Sequence, residues 1–80
     1  MPKFFFTVRD DMLTEDEDGR ELANAEAARL AALEGARCMA ADQVLKGYLH
    51  PDDRIEVEDE SRTLLFTVTF DQAVSVQPRQ

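Results

Sequence analysis

The stretch from Asn24 to Gly47 constrains the fold more than any other part of the chain, because it is rich in alanine and free of proline. Alanine is the strongest helix former, and the spacing predicts one long helix over residues 25–46. Both ends are marked. The Asn24 side chain can accept from the free amides of a first turn, and Glu26 sets a negative charge near the positive end of the helix dipole. Lys46 complements the opposite pole. Gly47 suits the left-handed residue that ends many helices, and Pro51 lies just beyond it. At about 100° per residue, Ala25, Ala32, Leu33, Ala36, Ala40 and Val44 share one stripe, the expected core face, whose small side chains let the helix lie close to a sheet. A second stripe, Leu30, Ala41, Leu45 and Tyr48, is interrupted by Glu34 and Arg37 and reads as a half-exposed flank.

The rest of the chain alternates with the period of strands. Over residues 3–9, Phe4, Phe6 and Val8 point one way, toward the helix, and Phe5, Thr7 and Arg9 point the other. Residues 10–18 read as a polar connection with Met12 and Leu13 as anchors. Glu15-Asp16-Glu17-Asp18-Gly19 is a turn in which Gly19 supplies a positive φ, and residues 20–22 are a candidate short return strand. Residues 54–58 form a strand with Ile55 and Val57 inward and Glu56 and Glu58 outward. A tight turn over 59–62 leads to a strand over 63–70, with Leu64, Phe66, Val68 and Phe70 inward and Leu65, Thr67 and Thr69 outward; residues 73–76 are a candidate extension.

These pieces give a single α+β domain over residues 1–80, β-(β)-α-β-β: a small antiparallel sheet of three to four strands with one long helix packed on one face. With strands numbered along the chain, short connections favour the order 2-1-3-4. The helix is about 35 Å long and a seven-residue strand about 23 Å. The helix therefore has to cross diagonally or overhang the sheet, at its Val44–Leu49 end.

Charge and composition narrow the function. The formal net charge is −8, which repels nucleic-acid phosphate and anionic membrane surfaces, so neither direct nucleic-acid contact nor membrane binding is expected. The single cysteine, Cys38, cannot form an internal disulfide. The opening Met1-Pro2-Lys3-Phe4-Phe5-Phe6 is too short an apolar run, interrupted too soon by Arg9, Asp10 and Asp11, for a secretory signal. No apolar run approaches the ~20 residues that span a bilayer. A soluble, cytoplasmic protein is the expectation.

The residues that could carry chemistry do not assemble in sequence. Cys38 lies in mid-helix and His50 in the loop that follows, with nothing to bring thiol and base together. Ser61 lies in a turn without a base partner. No phosphate loop, Cys/His metal spacing or glycine-rich fingerprint is present. Thr14-x-Asp16-x-Asp18-Gly19 matches half of a calcium loop, but its first position is Thr and its twelfth is Ala25, so the bidentate carboxylate is missing. Asp16 and Asp18 are at most a weak cation site. No catalytic residue and no cofactor is expected.

Several motifs resemble a family together: Phe4-Phe5-Phe6-Thr7-Val8-Arg9-Asp10, Asp16-Glu17-Asp18-Gly19-Arg20-Glu21-Leu22, Ala27-Ala28-Arg29, Arg54-Ile55-Glu56-Val57, and Leu64-Leu65-Phe66-Thr67-Val68 leading to Phe70 and Ala73-Val74. The chain is similar over nearly its whole length to small bacterial proteins known only as a domain of unknown function. It departs from them at the last hairpin turn, where the family often has glycine and this chain has Ser61-Arg62. The resemblance implies no activity, cofactor or catalytic residue. The expected role is a non-catalytic protein–protein interaction module that binds itself or another protein, with Phe5, Leu30, Leu45, Tyr48 and Leu65 as interface residues. The alternatives are a small regulatory or antitoxin-like protein acting through a partner and, more distantly, a weak cation-binding protein.

Overall fold

Alternating side chains over Lys3–Arg9 form the first strand, β1, and the sheet is assembled on both of its edges. The structure, a computed structural model, describes residues 1–79. After β1 come β2 (Leu13–Thr14), β3 (Arg20–Glu21), helix α1 (Ala25–Leu45), β4 (Arg54–Glu58), β5 (Leu64–Thr69) and a short helix α2 (Phe70–Ala73). The order is β2-β1-β4-β5, and β3 also pairs with β1, on the half that β2 leaves open. Every pairing is antiparallel. The α+β architecture and the order expected for the four strands read from the sequence, β3-β1-β4-β5, are therefore present. The additional strand is β2, which sequence reading takes for a polar connection; Leu13 pairs with Arg9, and both Met12 and Leu13 are exposed rather than anchoring.

Helix α1 is capped as its sequence implies. The Asn24 side chain accepts from the Ala27 N–H at 2.9 Å, and Gly47 takes φ +98° just past the C-terminus. Its buried face is Ala28, Ala32, Ala36 and Ala40. Two residues expected there, Ala25 and Val44, are exposed, and Leu33 is half-buried against the core. The reason is geometric. The contact follows the row Ala28, Ala32, Ala36 and Ala40; Ala25 lies off this row in the first turn, and Val44 continues it past the last residue packed on the core. Val44 and Leu45 stand in solvent at the overhanging end. At mid-helix the missing side chain of Gly35 admits Ile55; a Cβ built at Gly35 would lie 3.2 Å from Ile55 Cδ1. Phe4, Ile55, Val57, Val68 and Phe70 complete the core against the alanines.

Two strand-end expectations are corrected. Leu64 is exposed, not inward, because β5 carries a bulge: Val57 pairs with Phe66 but Glu58 pairs with Leu64, leaving Leu65 without a counterpart on β4. Phe70 is buried as expected, yet it opens α2 instead of ending the strand, and residues 73–76 do not extend β5. The Thr69 N–H donates to the Gln72 side-chain oxygen at 3.0 Å. A threonine followed three residues later by glutamine is a helix-start signal that the alternation of β5 conceals.

Candidate functional site

The face of the sheet opposite α1 carries charged and aromatic side chains in cross-strand rows. Phe5 pairs with Glu58, Thr7 with Glu56 and Arg9 with Arg54. The Arg9 guanidinium donates to Glu56 at 2.6 Å, and Arg54 approaches the same carboxylate at 3.4 Å. The hydrogen bond from Arg9 leads in holding the Glu56 carboxyl below its ordinary value, against the opposing effect of burial. Beside this row the Arg62 guanidinium lies 3.7 Å from the centroid of the Phe5 ring. The same side chain reaches Glu58 at 3.2 Å and donates to the Asp16 carbonyl at 3.0 Å. Arg62 adopts φ +65° in the hairpin turn. Arginine thus occupies the left-handed position for which the resemblance leads one to expect glycine. Its cation–π contact and two hydrogen bonds oppose the backbone cost. Thr7, beneath this layer, is buried.

Phe5, expected to be open on this face, is thus half-covered, and Leu65 is exposed at the bulge. The other expected interface residues lie on the helix side. Leu30, Leu45 and Tyr48 are all exposed, Leu45 to 87%. Phe5 and Leu65 thus lie on strands of the sheet, and Leu30, Leu45 and Tyr48 on or just after the helix.

Asp16 is committed to backbone. Its carboxylate accepts from Phe6 N–H at 3.1 Å, Gly19 N–H at 2.9 Å and Asp18 N–H at 3.2 Å. Burial pushes this carboxyl up, but the three amides together with the nearby Arg62 charge outweigh it and hold it below the ordinary value. Asp18 is exposed and meets Asp16 only through its own N–H. Among the described residues no three His, Cys, Asp or Glu side chains are grouped as metal ligands.

At the C-terminal end of α1 an open cleft of about 500 Å³ is bordered by Asp10, Asp11, Asp42 and Asp53, with Met39 and Phe70 on its apolar wall. Cys38 also borders it; His50 does not, and instead lies with its ring 4.9 Å from Tyr48. The thiol and the imidazole are not brought together in this cleft. Gln43, which sequence reasoning passed over, closes the end of the helix. Its amide donates to Asp53 at 2.7 Å and its oxygen accepts from the His50 N–H at 2.9 Å. Arg37 makes a second tie, donating to the Ala73 carbonyl at 2.7 Å. Neither tie has a local signal, since each partner lies on a different element.

The family model described as a domain of unknown function (DUF6894) matches residues 3–71. No curated protein and no solved structure matches the chain. Among the described residues no helix is long and apolar enough to cross a membrane.

Proposed function

The chain belongs to the DUF6894 family, a domain of unknown function, and we propose that it is a non-catalytic module that binds another protein through the exposed flank of α1. One observation carries this reading. The helix turns alanines to the sheet and two of its three leucines to water: Ala28, Ala32, Ala36 and Ala40 are buried, while Leu30, Leu45 and the following Tyr48 are exposed. An ordinary surface helix places its large apolar residues inward. Large apolar side chains gathered along one outer flank are a surface suited to a partner.

Charge selects the partner. The flank is interrupted by Glu34 and by Arg37, whose guanidinium is turned to the Ala73 carbonyl; on a chain of net charge −8 an apolar surface bordered by Lys and Arg is then the complementary one. The test places a photo-crosslinking side chain at Leu45 and, as a control, at Glu17. The expected outcome is a discrete protein adduct from Leu45 in the native cell, lost when Leu30 and Tyr48 are changed to serine. Identical adducts from both positions, or none from Leu45, would count against the reading.

A further inference from the structure

We propose that the groove between α1 and the inward face of β1 docks an amphipathic helix of a partner protein, laid antiparallel to α1 with Lys or Arg at its N-terminal end. This goes beyond the helix-flank reading and concerns a different face of α1.

The groove follows from widths. With β2 and β3 sharing one edge, the sheet is four strands wide. A helix is about 10–12 Å across and neighbouring strands lie about 4.8 Å apart, so one helix covers two strands. Helix α1 packs on β4 and β5, and on α2 beside them. On β1, Phe6 and Val8 point to the helix side yet are only half-buried, whereas Thr7 on the outer face is buried. Beside them α1 presents Ala31, Gly35 and Met39, and the two elements border an open groove of about 340 Å³. Gly35 and Met39 lie on the other side of the alanine row from Arg37, which reaches α2.

Backbone pairing selects the occupant. Both edges of β1 are taken: β4 lies along one, and β2, β3 and the Asp16 carboxylate fill the other. A segment lying on the face of β1 finds no ladder to join and has to satisfy its own N–H and C=O groups, as a helix does. The walls suit one. Apolar anchors at i, i+4 and i+7 can meet Phe6, Val8 and Met39, and Gly35 lets the docked backbone lie close to α1.

Charge sets its direction. Met39 also borders the cleft at the C-terminal end of α1, where Asp10, Asp11, Asp42 and Asp53 stand. Lys46 is the one cation among the described residues there, and it is bridged to Asp42 at 3.0 Å. Arg20 borders the other end of the groove. A helix antiparallel to α1 brings its positive N-terminal pole to the carboxylates and its negative C-terminal pole to Arg20; the reverse orientation opposes both. An apolar body with a basic N-terminal end is therefore the complement of this groove.

Titration of the full chain with stapled model helices, read by methyl NMR, tests the proposal. The probe carries leucines at i, i+4 and i+7 and lysines at its N-terminal end; the control carries the lysines at its C-terminal end. The probe should shift the Val8, Ala31 and Met39 methyls and leave those of Leu30 and Leu45 in place. It should bind several-fold tighter than the control, a preference that fades at high salt. Ala31→Gln fills the groove and should weaken the probe by at least about tenfold. Asp11→Lys, at an exposed position, should weaken the probe more than the control; it decides the matter if Ala31→Gln fails to fold. Leu45→Glu should bind as the wild type does. No methyl shift at millimolar probe, or equal affinity for probe and control at low salt, overturns the proposal. So do shifts abolished by Leu45→Glu, which would leave only the flank reading standing. Tighter binding of decylammonium at the same methyls would make the groove a site for a cationic amphiphile instead. A dimer of the free chain lost in Ala31→Gln would seat a second copy there and overturn it as well.

Discussion

The side chain of Asp16 occupies, on the edge of β1, the place a strand would take: its Oδ2 accepts the Phe6 N–H at 3.1 Å, between the segments paired with β2 and β3. The other oxygen holds the turn through Gly19 and Asp18. Asp16→Ala should cost about 1–3 kcal/mol by urea denaturation, the range for leaving such donors unsatisfied. Because the carboxyl is held below its ordinary value when folded, its stabilisation is complete above the unfolded pKa, about 3.9, and is lost as pH falls through the folded value. The gap between wild type and Asp16→Ala should therefore be level near neutrality and narrow in acid. A gap as wide at pH ~2.5 as at pH ~7 would contradict this sign.

Arg62 offers a separable pair of effects. Arg62→Gly removes the left-handed strain and the contacts to Phe5, Glu58 and Asp16 together. Arg62→Ala removes the contacts and keeps the strain. The alanine variant should be less stable than the glycine variant by about 1 kcal/mol. Equal denaturation midpoints with equal slopes would show that the turn relaxes instead.

Gly35 and Ile55 should be coupled. Alanine at an interior helix position is worth up to about 1 kcal/mol over glycine, but at Gly35 its Cβ would crowd Ile55 Cδ1 at 3.2 Å. Ile55→Val removes that methyl. In a double-mutant cycle, Gly35→Ala should be more favourable in the Ile55→Val background than in the wild type by about 0.5–1 kcal/mol. Additivity within error would mean that Ile55 changes rotamer freely.

Gln43→Ala should loosen the segment after the helix before it loosens the core. The His50 N–H and the Asp53 carboxylate lose their partner. Amide exchange at His50 and Asp53 should accelerate by about tenfold while that at Val57 changes little, as expected for local opening. Uniform acceleration at all three sites would place Gln43 in the global unfolding unit.

What sequence could reveal was periodic or local. Asn24, Gly19 and Gly47 act where their chemistry alone puts them, and the strands around Phe4, Ile55 and Val68 follow from alternation. The bulge at Leu65 breaks that alternation from the β4 side, through a register fixed by pairing. The core stripe was legible at Ala32, Ala36 and Ala40 but not at its ends, where Ala28 replaces Ala25 and the contact stops before Val44, because where the sheet ends beneath the helix is not encoded in the helix itself. On the helix flank, the exposure of Leu30, Leu45 and Tyr48 was legible as an interrupted stripe. The covering of Phe5 by Arg62 was not, since it depends on a turn conformation that arginine rarely adopts.

The alanine face of α1 also leaves the helix few teeth: of its side chains packed on the core, Leu33 and Met39 are the large ones. A row of methyl groups offers almost no resistance to sliding along the axis, unlike leucines lodged between the side chains of a sheet. Those two side chains share the axial hold with a detent and two tethers: Ile55 seated in the notch at Gly35, Arg37 on the Ala73 carbonyl, and Gln43 on Asp53. A change that fills the notch loads this interface at its middle, and Leu30 and Leu45 ride on the same rigid helix. The outer flank is thus aligned by contacts made on the side of the helix that faces away from it.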